Sequence, residues 1–186
     1  MNIFALSPDP VESAEMMCDK HVVKMIIETA QLLSTAHRML DGEQYVDRTA
    51  NGRRIKRWLH SNSNMEATLY KASHINHPSA IWARKSNDNY NWLYSHFKAL
   101  CQEYTYRYGK IHLTEEKLLD ILKNTPDNIP VGNLTTLPQA MPDKYKGKYY
   151  VDAYRRYYIG DKNGFAKWTK RPIPDWWDNS ASYQHV

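Results

Sequence analysis

Five polar side chains recur at alternating spacings of three and four residues within an otherwise apolar stretch of the chain. They are His21, Lys24, Glu28, Gln31 and Thr35. Because an α-helix turns once in about 3.6 residues, this spacing places all five on one side of a helix. An imidazole, an ammonium, a carboxylate and an amide together can move protons and hold the edge of a nucleic-acid base. The stripe predicts a catalytic pocket lined by His21, Lys24, Glu28 and Gln31; the alternative is a solvated helix face with Lys24–Glu28 as an ordinary ion pair.

Positive charge is concentrated near the end of the chain. Between Asp143 and Arg171, nine basic and three acidic residues leave a net charge of +6, whereas the whole chain carries +5 at pH 7. The basic residues are Lys144, Lys146, Lys148, Arg155, Arg156, Lys162, Lys167, Lys170 and Arg171, and the aromatic residues among them are Tyr145, Tyr149, Tyr150, Tyr154, Tyr157, Tyr158 and Trp168. Cations neutralise phosphates and flat rings stack on exposed bases, so this segment predicts DNA as the partner. The alternative is a solvated face whose rings point inward.

The periodicity of the apolar residues predicts a mainly α fold, a single compact all-helical domain over residues 1–186. Helices are predicted from about Val11 to Leu40, Asn64 to Ser73, Ser79 or Ser86 to Tyr108, Leu113 to Asn124 and Val151 to Trp168. We expect Gly109 to end the second long helix, residues 53–60 to form a loop or a short helix, and the proline-rich residues 125–147 to be irregular. Residues 143–177 form the basic, aromatic part that contacts DNA, and residues 178–186 a polar tail.

Composition argues against several other classes of protein. The apolar stretches are too short to span a bilayer and the first residues do not resemble a secretory signal, so we expect a protein of the cytoplasm with no membrane contact. We also expect it to be a monomer. Two cysteines, Cys18 and Cys101, are too few for a disulfide framework and are expected to be buried thiols. No glycine-rich phosphate loop or nucleophile elbow is present in the sequence. The histidine spacings do not match a known zinc site, so neither a metal nor a cofactor is expected.

Several collinear motifs resemble the phage pyrimidine-dimer DNA glycosylase / AP lyase family, the endonuclease V of T-even phages. The first is Asp19-Lys20-His21-Val22 with Glu28 seven residues after the histidine. The others are His77 with the helix ending in Arg107-Tyr108-Gly109, the segment Pro142–Tyr149, and Lys170-Arg171-Pro172 followed by Trp176-Trp177. The resemblance implies a single all-α domain whose N-terminal amine attacks C1′ of the damaged nucleotide to form an imine. It also implies that Glu28 stabilises the developing charge and assists the elimination that cuts the strand.

Carried over residue by residue, the resemblance makes Glu28 the catalytic carboxylate and His21 a pocket wall. The amine is expected on Met1, because the side chain of Asn2 is too large for removal of the initiator, and Lys24 offers a second amine. Substrate binding is assigned to Gln31, His77, Lys144, Lys146, Arg155, Arg156, Lys170 and Arg171, with Trp176 and Trp177 as an aromatic wedge. Ile27 and Gln31 stand where the family has arginines, so a relative that acts on a different, modified pyrimidine fits the sequence as well.

Three functions follow from these observations. The favoured hypothesis is a DNA glycosylase acting on a damaged or modified pyrimidine, with or without AP lyase activity. The second is an enzyme of the same fold that modifies a pyrimidine in DNA without breaking its bond to the sugar. The third is a non-catalytic helical module that binds DNA or a partner protein. If the chain is encoded by a phage, the host cytoplasm is the expected compartment.

Overall fold

The computed structural model describes residues 2–178 of the chain. In chain order the elements are α1 (Pro10–Met16), α2 (Asp19–Asp41), β1 (Gly42–Arg48), β2 (Arg54–His60), α3 (Ser63–Thr68), α4 (Pro78–Ala83), α5 (Asn87–Tyr108), α6 (Leu113–Leu122), α7 (Tyr150–Lys162) and α8 (Asp175–Asp178). A 3-10 turn covers Asp143–Tyr145 within the irregular segment that the sequence predicts. Helices dominate this part of the chain, which confirms the predicted mainly α fold.

The two longest helices, α2 and α5, pack against each other and carry much of the core. The fully buried side chains are Val22, Met25, Ile26, Ala30, Leu32 and Leu33 on α2 and Tyr90, Leu93, Phe97 and Leu100 on α5. Burial of a Leu, Ile, Met or Phe side chain stabilises a fold by about 1.5–3 kcal/mol relative to exposure. The apolar faces from which both helices were predicted therefore hold the molecule together.

The first predicted helix is in fact two helices. Asp9 caps α1 by accepting hydrogen bonds from the N–H groups of Val11 and Glu12 at 2.9 and 2.8 Å. The backbone of Met17 and Cys18 is extended, with ψ of 142° and 159°, and both side chains are fully buried. The prediction of one helix from Val11 to Leu40 was wrong, because apolar residues occupy the break as they would a continuous helical face.

The second long helix begins at the later of the two predicted positions. Ser86 is its N-cap and accepts a hydrogen bond from the N–H of Asn89 at 3.1 Å. The earlier position starts a separate short helix, α4, which His77 caps and Pro78 begins. At the other end Gly109 has a φ of 69°, a left-handed conformation that glycine adopts without steric cost, so the predicted stop is confirmed.

A β-hairpin replaces the loop or short helix predicted for residues 53–60, and that prediction was wrong. Strand β1 pairs with β2 in antiparallel register from Gly42–His60 at the base to Arg48–Arg54 near the tip. Gly52 turns the tip with a φ of 76°. A Cβ at Gly42 would collide with the carbonyl oxygen of Arg38, so the chain turns from α2 into the hairpin where glycine alone fits.

Buried Arg38 attaches the hairpin to the rest of the fold. Its guanidinium donates to the carbonyl oxygens of Trp58 (2.8 Å), Tyr70 (2.7 Å) and Leu69 (3.0 Å). It also forms an ion pair with Glu66 at 2.6 Å, and Glu66 in turn accepts the backbone N–H of His60. One side chain of α2 therefore joins β2 to α3 and to the segment that follows it.

Three of the predicted helices end earlier than expected. Helix α3 ends at Thr68 rather than Ser73, α6 at Leu122 rather than Asn124, and α7 at Lys162 rather than Trp168. After α7 the chain turns back towards α2, where the carbonyl oxygen of Lys167 accepts the N–H of Asp19 at 2.7 Å. Tertiary hydrogen bonds thus replace the helical ones that would have extended α7.

Two smaller expectations concern the cysteines and the membrane. Cys18 and Cys101 are buried free thiols, as predicted. Within residues 2–178, no helix combines the length and the apolar character needed to cross a membrane.

Candidate functional site

The second residue of the chain meets Glu28 on α2. The backbone N–H of Asn2 donates a hydrogen bond to Glu28 Oε2 at 3.2 Å. On the other side, Lys24 Nζ lies 3.5 Å from Glu28 Oε1, which is the i,i+4 ion pair that the spacing predicts. The Glu28 side chain is 16% exposed and that of Lys24 is 63% exposed. The carboxylate is therefore held between the start of the chain and a solvated ammonium.

The side chain of Asn2 anchors this arrangement. Its Nδ2 donates to the carbonyl oxygen of Ala140 at 2.6 Å. Its Oδ1 accepts the N–H of Ile3 at 2.8 Å and the hydroxyl of Tyr154 at 2.9 Å. Ala140 belongs to the proline-rich segment and Tyr154 to α7, so two distant parts of the chain fix the position of residue 2.

The N-terminal segment is buried rather than frayed. Residues 2–7 are all at most 8% exposed, although the first residues of a domain are usually poorly ordered. Phe4 adopts a left-handed backbone with a φ of 54°, which costs about 1–3 kcal/mol for a residue with a Cβ. Its ring lies 4.5 Å from that of His21 and 5.7 Å from that of Tyr157, centroid to centroid. Packing thus offsets the strain and holds the start of the chain beside Glu28.

His77 and Gln31 lie in the same part of the molecule. His77 is half-buried, and its Nδ1 accepts the N–H of Ser79 at 3.1 Å. Burial lowers the pKa of His77 below its ordinary value, and the Glu28 carboxylate opposes that shift, so the two side chains interact electrostatically. Gln31 is half-buried and follows Glu28 by three residues on α2. The structure therefore brings together Lys24, Glu28 and His77 of the predicted site.

His21 and Thr35, at the two ends of the predicted stripe, are buried. The ring of His21 lies among those of Phe4, Tyr158 and Phe165, with centroids 4.5 to 5.8 Å away. Burial, together with nearby lysines, lowers the pKa of His21 to about 3, so the ring is neutral at neutral pH. A neutral ring buried among aromatic side chains can form the wall of a pocket, but it does not suit the role of a proton donor.

In the basic segment, residues 143–171, several lysines lie at the surface, whereas some of the tyrosines lie in the interior. Tyr154 and Tyr158 are fully buried, four residues apart on the inner face of α7. Lys144, Lys148, Lys167 and Lys170 are exposed. For these two tyrosines the alternative that the rings point inward is correct. Other rings of the segment remain partly exposed, such as that of Tyr149 at 45%.

Two arginines of α7 line a surface cavity. Arg155 and Arg156 border a depression of about 210 Å³ together with Asp152, Ile159 and Trp176. Arg155 Nε donates to the carbonyl oxygen of Leu6 at 2.9 Å, and Arg156 Nε donates to that of Tyr145 at 3.0 Å. Each guanidinium is thus oriented by one backbone contact, an arrangement that suits recognition of a phosphate.

Arg171 is engaged within the protein. It donates to both carboxylate oxygens of Glu103, at 2.8 and 2.9 Å, and Glu103 also accepts Arg107 Nε at 2.9 Å. Burial raises the pKa of Glu103, but the hydrogen bonds from Arg171 and Arg107 outweigh it and leave the pKa below its ordinary value. Arg171 therefore fixes the C-terminal segment to α5, and its charge is largely neutralised. Neighbouring Lys170 is exposed, with Nζ donating to the carbonyl oxygen of Tyr106 at 3.1 Å.

Trp176 and Trp177 lie against the body of the protein. Both are half-buried, and both contact the ring of Tyr158 edge to face. Trp177 also meets Trp168 at 5.0 Å between centroids, and the guanidinium of Arg155 lies over Trp176. As described, the pair forms part of a packed aromatic cluster rather than a projecting wedge.

Asn2 and Tyr154 are the site residues that sequence reasoning missed. Asn2 was considered for the size of its side chain, and Tyr154 for stacking on a base. The available signal was a polar residue at the start of the apolar run Asn2-Ile3-Phe4-Ala5-Leu6, since a polar side chain that is buried with such a run needs hydrogen-bond partners.

Together these contacts place a carboxylate beside the backbone nitrogen of residue 2. Met1, the predicted source of the amine, lies outside the described residues. A carboxylate in this position can stabilise a cationic centre and can accept or return a proton. The backbone nitrogen of residue 2 lies within hydrogen-bond distance of this carboxylate, so a group that reacts near the start of the chain would meet it.

Comparison with known families gives an independent result. The model of the family described as pyrimidine dimer DNA glycosylase matches residues 1–116, which is more than half of the chain. Comparisons with curated proteins and with solved structures gave no match. The matched range contains Asn2, Lys24, Glu28 and His77, whereas Tyr154 and the basic segment lie beyond it.

Proposed function

We propose, for a chain that belongs to the pyrimidine dimer DNA glycosylase family, that Glu28 and the N-terminal amine together release a damaged or modified pyrimidine from DNA. The observation that carries this proposal is the 3.2 Å hydrogen bond between the nitrogen of Asn2 and Glu28. The buried N-terminal segment and the anchored side chain of Asn2 support it, because they hold residue 2 in one position beside Glu28.

The proposed reaction begins with the lone pair of the neutral α-amine. An α-amine has a pKa of about 8, so a useful fraction is unprotonated at neutral pH. The amine attacks C1′ while the bond from C1′ to the base breaks, and the base leaves with the electron pair of that bond and a proton. The nitrogen, having given one proton to the leaving base, then breaks the bond from C1′ to the ring oxygen with its lone pair. The ring oxygen takes the second proton of the amine, and an imine remains between C1′ and the nitrogen. The negative charge of Glu28 stabilises the positive charge that develops at C1′.

An AP lyase step can follow from the same imine. A base removes the proton from C2′, the electrons form a double bond between C2′ and C3′, and the 3′ phosphate leaves with its bonding pair. This elimination cuts the strand without water. Glu28 is the described carboxylate nearest to the chain end, so we assign the proton transfer to it.

Two amines compete for the role of nucleophile. The first is the N-terminal amine, carried by Met1 if the initiator is retained and by Asn2 if it is removed. The second is Lys24 Nζ, which lies 3.5 Å from the carboxylate. We favour the N-terminal amine, because its pKa is about two units lower than that of a lysine. In addition, residues 2–7 are buried, whereas the Lys24 side chain is 63% exposed.

DNA binding is assigned to exposed cations in two separate parts of the chain, the segment around the start of α7 and the hairpin. Lys144, Lys146 and Lys148 project from the segment before α7, and Arg155 and Arg156 line the adjoining cavity. The hairpin adds further exposed basic residues, namely Arg48, Arg53, Arg54 and Lys56. Cations that neutralise phosphates position a duplex without reading its sequence.

The variant Glu28→Gln tests the catalytic assignment. We expect the single-turnover rate of base release to fall on the order of 10²–10⁴-fold. DNA affinity should stay equal or rise slightly, because the change removes a negative charge near DNA. Glu116→Gln, an exposed residue on α6, is the matched control and should retain the full rate.

The same experiment separates the alternatives. A Glu28→Gln variant with a lower melting temperature but the full rate per folded molecule would remove Glu28 from the mechanism. An unaltered chain that binds DNA but leaves its bases unchanged would instead favour the non-catalytic module. Chromatography of the products identifies the remaining case: a pyrimidine-modifying enzyme yields an altered base that is still attached to the strand, whereas a glycosylase yields a free base.

A further inference from the structure

Three potential ligand side chains converge where α2 ends and the hairpin begins. One nitrogen of His37, one carboxylate oxygen of Asp41 and one nitrogen of His60 all lie within 4.8 Å of one another. They border a cavity of about 480 Å³ that also includes Asn124 and Asp127. His37 and His60 are only 3% and 8% exposed. The cluster lies far from Glu28, because the 13 residues from Glu28 to Asp41 span roughly 20 Å of helix.

Hydrogen bonding around His37 leaves one ring nitrogen with a bare lone pair. The hydroxyl of Tyr90 has a single proton, which it donates to the carbonyl oxygen of Leu122 at 2.7 Å. The contact of 2.8 Å between His37 Nε2 and the Tyr90 oxygen must therefore be donated by the ring. A neutral imidazole protonated at Nε2 carries a lone pair at Nδ1. His37 Nδ1 is buried and makes no hydrogen bond of ordinary geometry, although the backbone of Asn124 lies close enough to interact with the ring.

The second histidine also has an unsatisfied nitrogen. His60 Nε2 is buried without a partner, while Nδ1 accepts the N–H of Asn62 at 3.1 Å. A cation that replaces the proton at Nε2 moves that proton to Nδ1, so the Asn62 amide would lose this hydrogen bond. His21 Nδ1 and His96 Nε2 are also buried without partners, but His37 and His60 bring two such histidines to one cavity beside a carboxylate.

Asp41 is already oriented and still has room for a cation. Its Oδ1 accepts two hydrogen bonds from Asn128, and its Oδ2 accepts the N–H of Asp127 at 2.7 Å. Each carboxylate oxygen has two lone pairs, so one remains at Oδ2. Hydrogen bonds of this kind fix the orientation of carboxylate ligands at metal centres.

We propose that His37 Nδ1, His60 Nε2 and the Asp41 carboxylate bind one divalent transition-metal ion of the zinc class, with water in the fourth position. Two imidazoles and a carboxylate are a common donor set for such ions. Ligand atoms bonded to zinc at about 2.1 Å lie roughly 3.4 Å apart in a tetrahedron, so the side chains need to close by little more than about 1 Å. The ion would tie the base of the hairpin to α2 and to residues 124–128, and its role is structural.

Titration of the untagged, metal-free full-length chain with Zn²⁺ tests this site. We expect one Zn²⁺ per chain, and a melting temperature raised by roughly 5–10 °C when free Zn²⁺ reaches about 100 times its dissociation constant. Co²⁺ in the same site should give the visible absorption of a four-coordinate ion. The amide resonance of Asn62 should shift, because it loses its bond to His60.

The variant His60→Gln should lose at least about 100-fold in Zn²⁺ affinity, because even an outer-shell partner is typically worth 10–100-fold. The matched control is His112→Asn, a half-buried N-cap at α6, which should bind Zn²⁺ as the unaltered chain does. Equal affinity in the His60→Gln variant would overturn the proposal. So would the absence of saturable 1:1 binding by the unaltered chain, a result that does not depend on whether the variant folds.

Discussion

Removal of one hydroxyl group, in the variant Tyr154→Phe, tests how the chain end is held. The Tyr154 oxygen lies 2.9 Å from Asn2 Oδ1, 2.7 Å from the carbonyl oxygen of Pro138 and 3.3 Å from the amide nitrogen of Ala140. Phenylalanine fills the same volume but leaves these buried groups without that partner. Loss of a buried hydrogen bond of this kind costs about 1–3 kcal/mol.

The effect on catalysis should exceed the effect on stability. Freed from Tyr154, Asn2 can shift, and a displacement of about 1 Å in a reacting group costs on the order of 10²-fold in rate. We therefore expect the single-turnover rate to fall by about that factor while DNA affinity stays unchanged. Urea denaturation and rapid-quench measurements on the same preparation give the two numbers.

Tyr158→Phe is the matched control for this experiment. Tyr158 is equally buried on the same helix, and its hydroxyl contacts Cys18 rather than Asn2. The control should lose stability to a similar extent and keep the rate. A Tyr154→Phe variant that loses stability alone, as the control does, would refute the idea that this hydroxyl positions the chain end.

Three further predictions concern stability and DNA binding. Arg38→Met should lower the free energy of unfolding, measured in urea, by roughly 3 kcal/mol, because it removes buried hydrogen bonds at the base of the hairpin. A change below about 1 kcal/mol would contradict this. Burial lowers the pKa of His21 to about 3 and that of His96 to about 4, so the unfolded chain binds more protons below pH 6.5. Their contribution to stability should be full above pH 6.5, and these two histidines alone should lower stability by about 2.7 kcal/mol per pH unit near pH 5. Equal urea midpoints at about pH 7.5 and pH 5 would refute this assignment. DNA affinity should drop on the order of 10³-fold between about 50 and 200 mM salt. The double variant Lys144→Gln, Lys148→Gln should reduce the slope of log affinity against log salt concentration by about two. An unchanged slope would show that neither lysine contacts a phosphate.

The sequence predicted correctly those features that depend on residues close together in the chain, such as the apolar face of a helix and the residue at which a helix ends. The apolar faces of α2 and α5 follow from a period of 3.6 residues, and Gly109 follows from the conformation that a helix end requires. The same period could have placed Tyr154 and Tyr158 on the inner side of α7, because residues four apart face the same way. That inference was outweighed by the number of cations around them.

Other features depend on contacts that a local pattern does not contain. Asn2 bonds to residues 138 and 152 positions away in the sequence, so its role becomes visible only in the fold. The hairpin alternates exposed charges with few apolar residues, and its base is stabilised by Arg38 of α2 and by Glu66 of α3. The break at Met17 and Cys18 is apolar on both sides, so periodicity runs through it.

Identifying the nucleophilic nitrogen is the most direct test of the proposal that the N-terminal amine forms an imine with C1′. Borohydride reduces an imine to a stable bond, so enzyme trapped on DNA that contains an abasic site or a pyrimidine dimer can be digested and the modified peptide identified by mass spectrometry. We expect a single adduct on the N-terminal nitrogen, whether that nitrogen belongs to Met1 or to Asn2, with its yield greatly reduced in the Glu28→Gln variant. An adduct on Lys24, or no adduct from an enzyme that still releases the base, would contradict it.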